Sequence, residues 1–299
     1  MIEPILIFGL INGLIYALVA LGFTLAYGIS GMVNLAHGVF FVIGAYLYGI
    51  FLNYLYPSFS HLAPIPAIIL SCIATGLIGS IFYRITLHQL LGDEVGILMT
   101  SILGCVILQQ LILLTLGREA AILQFSIKPL ISGQVRLFNM DIPAGQTVAV
   151  LISIIAFTVL AIFISKTKIG RAMRALSQDL ESAMLMGVST EKTFVLTTMI
   201  SAGLASLAGI LYTSTITQGV RSFFWIQALA ISFTVVILGG LGSIKGSILG
   251  GLIYGIAESA AIRLLPRGGA LQQSIPFIVI TLALLIMPKG LFGKRIEME

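Results

Sequence analysis

The side chains of this chain that could do chemistry in an apolar setting are few and far apart. No Asp, Glu, Lys or Arg occurs between Pro4 and Tyr83, and the main polar residues within apolar stretches are Asn12, Asn34, His37, Gln109, Gln110 and Glu258. An ionised group at the centre of such a stretch costs at least roughly 2.5–3.5 kcal/mol on insertion scales, so those that are present stand out. Of these, His37 and Glu258 alone have acid–base chemistry, and no motif links them. The histidines at 37, 61 and 88 make no H-E-x-x-H. The sole Gly-Lys pair, Gly293-Lys294, is followed by Arg295 and forms no phosphate-binding loop. Cys72 and Cys105 lie in apolar stretches without metal or redox spacing. The residues therefore point away from catalysis: no catalytic group, no metal site and no cofactor bound by this chain. Any nucleotide hydrolysis must come from another chain.

Two glycine-rich runs interrupt the apolar stretches, Gly28 to Gly38 and Gly239 to Gly246, the second followed by Gly250 and Gly251. Glycine weakens a helix by about 1 kcal/mol relative to alanine, so such runs favour a break or a close helix contact. In lipid, broken backbone must be buried in protein or line a wet cavity. On this reading Gly31, Asn34, His37, Gly38, Gly239, Gly240, Gly242, Ser243 and Gly246 border a translocation pathway; on the plainer one the runs are turns with packing glycines. One run stands early in each half, as in transporters built from repeats, although the two share little beyond glycine. Glu258 precedes Arg263 near the end of a stretch and reads as half of an interfacial pair, with a place in the pathway as the alternative.

These residues need apolar elements to hold them. With 58% hydrophobic and 9% charged residues, the chain is far from the roughly 25% charged content of soluble domains. It reads as an integral membrane protein of the all-α class, a single transmembrane domain over 1–299. Apolar segments fall near 5–28, 34–52, 64–82, 95–117, 147–165, 193–213, 226–242, 247–263 and 271–287, two of them short, giving eight or nine crossings according to whether 34–52 crosses or dips. Arg84, the cluster Lys166, Lys168, Arg171, Arg174 and Lys192, and the terminal Lys289, Lys294 and Arg295 place three regions on the cytoplasmic side. Loop 118–146 is then external, and alternation around Ser132-Gly133 allows a small hairpin there, either a lid or a docking surface for an external protein. The net charge of +5 follows topology, with no basic run or aromatic interleaving suited to nucleic acid.

The only long polar insert runs from Lys166 to Lys192 and carries five of the sixteen basic residues. Read as one helix over 172–186, it aligns Met173, Leu176, Leu180 and Met184 in an apolar stripe, with Arg171, Arg174, Gln178 and Glu181 opposite. Gly187 stands where a C-cap is needed, and Ser189 or Thr190 can cap the next helix.

Glu181-Ser182-Ala183-Met184-Leu185-Met186-Gly187 resembles the EAA-xxx-G coupling loop of ABC importer permeases, with Ser182 in place of the second Ala. Together with Gly13–Leu18, Gly31–Gly38, Gly170–Ala175 and Gly239–Gly246, the chain is similar over nearly its whole length to the permeases of branched-chain amino acid importers, the LivH type in particular. Lys245 departs from the Pro expected in the last motif.

The resemblance implies a pore subunit that pairs with a second permease, two cytoplasmic ATPases carrying ATP and magnesium, and an external binding protein, in a bacterial-type inner membrane. It implies transport of branched-chain or other neutral amino acids by alternating access, with coupling through Arg171, Met173, Arg174, Leu176, Asp179, Leu180, Glu181, Ala183, Met184 and Gly187. Related permeases carry urea or short amides, and a channel-like facilitator working without ATP is the reading from another class.

Overall fold

Backbone groups that meet no water must be satisfied within the chain, and long uncharged runs do so as helices. A computed structural model describes residues 2–116, 133–137, 140–215, 221–265, 268–272, 274–287 and 290–292. Its helices are Ile2–Ser30 (α1), His37–Phe59 (α2), Pro64–Ile85 (α3), Glu94–Leu116 (α4), Ala144–Lys166 (α5), Lys168–Gln178 (α6), Leu180–Leu185 (α7), Thr190–Thr215 (α8), Phe224–Gly239 (α9), Ile244–Leu264 (α10), Gly268–Leu271 (α11) and Ile275–Ile286 (α12). A hairpin of Gln134–Leu137 (β1) and Met140–Pro143 (β2) precedes α5.

Among the described residues seven helices are long and apolar enough to cross a membrane: α1 to α5, α8 and α10. Two shorter apolar helices, α9 and α12, complete the polytopic all-α bundle. The second apolar segment is one continuous helix from His37 through Pro57 to Phe59, long enough to cross.

Burial separates a centre from a periphery. In α1, α2 and α8 67% of the crossing window is buried, against 28% in α3 and α4 and 17% in α5. Glycine makes the central contacts close. Gly9 and Gly13 of α1 meet Gly251 and Gly255 of α10 backbone to backbone: a Cβ on Gly13 would lie 2.8 Å from the Gly251 carbonyl oxygen. Helices in lipid gain little from apolar burial alone, so such small-residue contacts carry their association.

Arg84, at the end of α3, approaches Glu191 of α8 at 3.9 Å. Gly28 of α1 touches Gly242, and the Leu291 N–H donates to the Leu238 carbonyl at 2.8 Å. The end of α3, the polar insert, the Gly239–Gly246 turn and the approach to the C-terminus thus share one end of the bundle. Lys289, Lys294 and Arg295 lie outside the described residues.

A small hairpin does form in this loop, directly after Gly133, whose carbonyl accepts the Ala144 N–H at 2.9 Å. Val135 pairs with Ile142 and Leu137 with Met140, in a register that buries Ile142. Residues 117–132, with Arg118 and Lys128, lie outside the described residues.

Candidate functional site

The insert begins with a tight cap. Thr167 leaves α5 in extended backbone, donates its hydroxyl to the Phe163 carbonyl at 2.7 Å and accepts the Gly170 N–H at 2.9 Å. α6 then lays Met173 and Leu176 into the core, with Arg171 and Arg174 in solvent.

A single helix over 172–186 does not form, because the chain breaks at Asp179. Asp179 is extended, at φ −155° and ψ 113°, and its carboxylate accepts the Ser182 N–H at 3.0 Å and the Ser182 hydroxyl at 2.6 Å. Aspartate competes poorly inside a helix and well at its start, so it begins α7 rather than continuing α6. The Ser182 hydroxyl and N–H hold the Asp179 carboxyl below its ordinary pKa.

The predicted stripe therefore divides. Ala183 packs inward, while Leu180 and Met184 are exposed, and Leu185 and Met186 at the tip are 89% and 85% exposed. Gly187 closes α7 as anticipated, at φ +84°, with its N–H on the Met184 carbonyl at 2.9 Å and the Val188 N–H on the Ala183 carbonyl at 3.1 Å. That pair of bonds is the Schellman closure, which needs left-handed backbone at the glycine.

A cleft runs beneath α6, lined among others by Thr24 and Gly28 of α1, Met173 and Arg174 of α6, and Gly242. Beside it Thr24 and Ser247 share a hydroxyl bond of 2.5 Å between α1 and α10. Of the predicted pathway residues, Gly242 is brought to this cleft. Gly239 and Gly246 pack against each other where α9 meets α10, the chain turns through Gly240, and Ser243 caps α10 by accepting the Gly246 N–H at 3.1 Å.

The first break points the other way. α1 ends with the Gly31 N–H on the Tyr27 carbonyl at 2.8 Å, and the chain then folds back into the bundle. Asn34 Oδ1 accepts the Ala36 N–H at 3.0 Å. His37 shares its Nε2 with the Val19 carbonyl at 2.8 Å and its Nδ1 with Ser201 Oγ at 3.2 Å. Val19 lies roughly 16 Å back along α1 at 1.5 Å per residue, so α2 starts deep inside the bundle. There Gly38 packs on the Trp225 backbone near the start of α9. Sequence reading did not place Trp225 here.

Glu258 is not an interfacial partner of Arg263. Five positions along a helix turn two side chains about 140° apart, and Arg263 instead donates to Ser259 Oγ, one turn back, at 2.7 Å and lies over the Phe8 ring. Glu258 is wholly buried, receives the Gln272 amide at 3.4 Å and faces Tyr16, beside Tyr212 and Tyr254. The tyrosines gave no signal by spacing, because they come from α1, α8 and α10.

Compared with protein families, residues 5–285 match the family described as branched-chain amino acid transport system / permease component. The chain belongs to this family. Among curated relatives, it is 32% identical to the high-affinity branched-chain amino acid transport system permease protein LivH of Salmonella typhimurium, covering 96% of this chain and 94% of the relative. It is 31% identical to LivH of Escherichia coli K12 over the same shares, and 31% identical to BraD of Pseudomonas aeruginosa over 97% of this chain and 95% of that one. No solved structure matches. A polytopic permease with a polar insert at one end of its bundle is what both sequence and fold describe.

Proposed function

We propose that the chain is the permease subunit of an ABC importer in a bacterial-type inner membrane, passing branched-chain or other neutral amino acids by alternating access. It works with a second homologous permease, two cytoplasmic ATP-binding subunits that supply ATP and magnesium, and an external substrate-binding protein. It binds no cofactor itself. LivH and BraD, both branched-chain amino acid transport permeases, support the substrate class.

The observation that carries the mechanism is the construction of the insert. α6 is rooted in the bundle by Met173 and Leu176, while α7 displays Leu185 and Met186, two large apolar side chains with nothing against them among the described residues. An apolar tip on a polar, extramembrane element suits a groove on a partner. Leu180, Ala183 and Met184 shape the tip, Arg171, Arg174 and Glu181 orient it, and Asp179 and Gly187 fix its two ends. Closure of the ATPases on bound ATP moves this rod, and the cleft beneath α6 passes the movement to α1 and the Gly239–Gly246 turn.

The pathway follows the breaks. Gly31, Gly239, Gly240, Gly242, Ser243 and Gly246 border it at one end of the bundle, and Asn34 and Gly38 lead from there inward. With both ring nitrogens engaged, His37 holds the first break in place and does not touch substrate. An ATP-independent facilitator would have no use for a displayed tip. Reconstitution of the co-purified complex in proteoliposomes tests the proposal: uptake of a neutral amino acid should require ATP and the binding protein, and uptake by this chain alone without ATP would overturn it.

A further inference from the structure

Leu35 lies in the non-helical segment between α1 and α2, where its N–H has no place in a helix ladder, while its carbonyl accepts the Gly38 N–H at 3.4 Å. α4 supplies partners for both. Ser101 Oγ accepts the Leu35 N–H at 3.2 Å, and the Cys105 thiol donates to the Leu35 carbonyl at 3.3 Å. One turn further along, Gln109 Oε1 accepts the indole N–H of Trp225 at the start of α9. These three residues stand four apart and so form one polar stripe on α4. It meets the two places where helices begin inside the bundle. The opposite flank of α4 is exposed and apolar, with Met99, Leu103 and Ile107 outward.

We infer that the Leu35 peptide, with the Trp225 indole beside it, is a passing station for the zwitterionic head group of a neutral amino acid, and that the α4 stripe occupies this station in the state seen here. The inference rests on the amino-acid reading given above. The chemistry of the stand-ins matches. An oxygen acceptor sits where a substrate carboxylate would take the Leu35 N–H, and a donor sits where a substrate ammonium would give to the Leu35 carbonyl. A single peptide offering both polarities recognises a zwitterion without a fixed charge, and a neutral hydrogen bond contributes only about 0.5–1.5 kcal/mol net, so the ligand is not trapped.

The Leu35 N–H is tolerable in the bundle only while it is paired, first by Ser101 of α4 and then by substrate or water. Displacement of α4 exchanges one set of partners for another, with no charge to bury.

Cys105 is a built-in reporter, being fully buried at rest. The complete transporter, with its ATPases, second permease and binding protein, is reconstituted with Cys72→Ala in this chain, and N-ethylmaleimide modification of the Cys105 peptide is followed by mass spectrometry. If Cys72→Ala lowers assembly, the same peptide is read in the unsubstituted chain. Since a thiol must be reached to react, labelling should rise about tenfold when ATP and the binding protein are added, and fall again severalfold on addition of saturating L-leucine. Uptake with no rise in labelling overturns the movement of α4, and a rise that amino acid does not suppress overturns the station. A complex that turns over ATP but takes up no neutral amino acid overturns the amino-acid reading itself, and this inference with it.

Discussion

α6 and α7 are consecutive, similarly apolar and cut from the same predicted stripe, yet they meet opposite surroundings. Met173 and Leu176 are buried in the body of the permease, while Leu185 and Met186 stand in solvent. Hydrophobicity does not distinguish them; geometry does. Asp179 ends one helix and begins the other, so the second is free to leave the surface on which the first is anchored. A continuous helix would have carried Leu180 and Met184 along the same inward face as Met173. The cap converts a buried stripe into a root and a tip, which is what an element that transmits force between two proteins requires.

The strongest way to break this comparison is at the root. Met173→Ala leaves a cavity under α6 and should cost about 2–5 kcal/mol of its attachment. Trypsin cleavage after Arg171 and Arg174 should accelerate, and coupled uptake should fall with it. At the tip the outcome should be reversed. Leu185→Asp with Met186→Asp places charge where a partner groove would close; loss of an interface anchor costs at least about 2 kcal/mol, so uptake should drop more than tenfold. Cleavage after Arg171 and Arg174 should stay at its original rate, because the Leu185 and Met186 side chains are almost fully exposed. Equal effects of the two substitutions on cleavage would show that root and tip are one unit.

Most of the fold was readable because lipid imposes a simple rule, and each of the nine apolar segments in the sequence has an apolar helix among the described residues. Their ends were less so. Proline at 57 did not stop α2, and α2 began at His37 because its break is stabilised by groups far away in sequence, such as Ser101. The same limit applies to the site. Gly187 was legible, since a left-handed terminus is written in one residue type. The roles of Glu258 and Trp225 were not, since they depend on which helices converge. Asp179 was visible but misassigned: its cap is local, and Ser182 three residues on was the available signal.

Gly187 sharpens the comparison by a smaller amount. A Cβ added there meets open space, so only the positive φ opposes substitution. Gly187→Val should therefore cost about 1–2 kcal/mol, enough to fray α7 without detaching α6. The signature is ATP hydrolysis that continues while uptake falls, with Gly187→Asn milder because asparagine tolerates that conformation better. Uptake unchanged in the valine variant would mean that the exit from α7 carries no coupling.

The smallest and most specific test concerns the hinge. Asp179→Ala removes an N-cap and should lower α7 protection, whereas Asp179→Asn keeps an acceptor and should lower it less. The two differ from the parent in pH response. The Ser182 hydroxyl and N–H depress the Asp179 pKa in the folded insert, so its contribution is fully present above the unfolded carboxylate pKa. It declines as pH falls below that value and is gone once the folded pKa is passed. Hydrogen exchange of the α7 amides, corrected for the intrinsic pH dependence of exchange, should show protection that is flat through neutral pH and declines in acid. The Asn variant should lack that decline. Because Met173 and Leu176 anchor α6 without a titrating group, its amides should keep their protection through the same acid range, so a parallel loss in both helices would place the acid-sensitive element elsewhere than the cap.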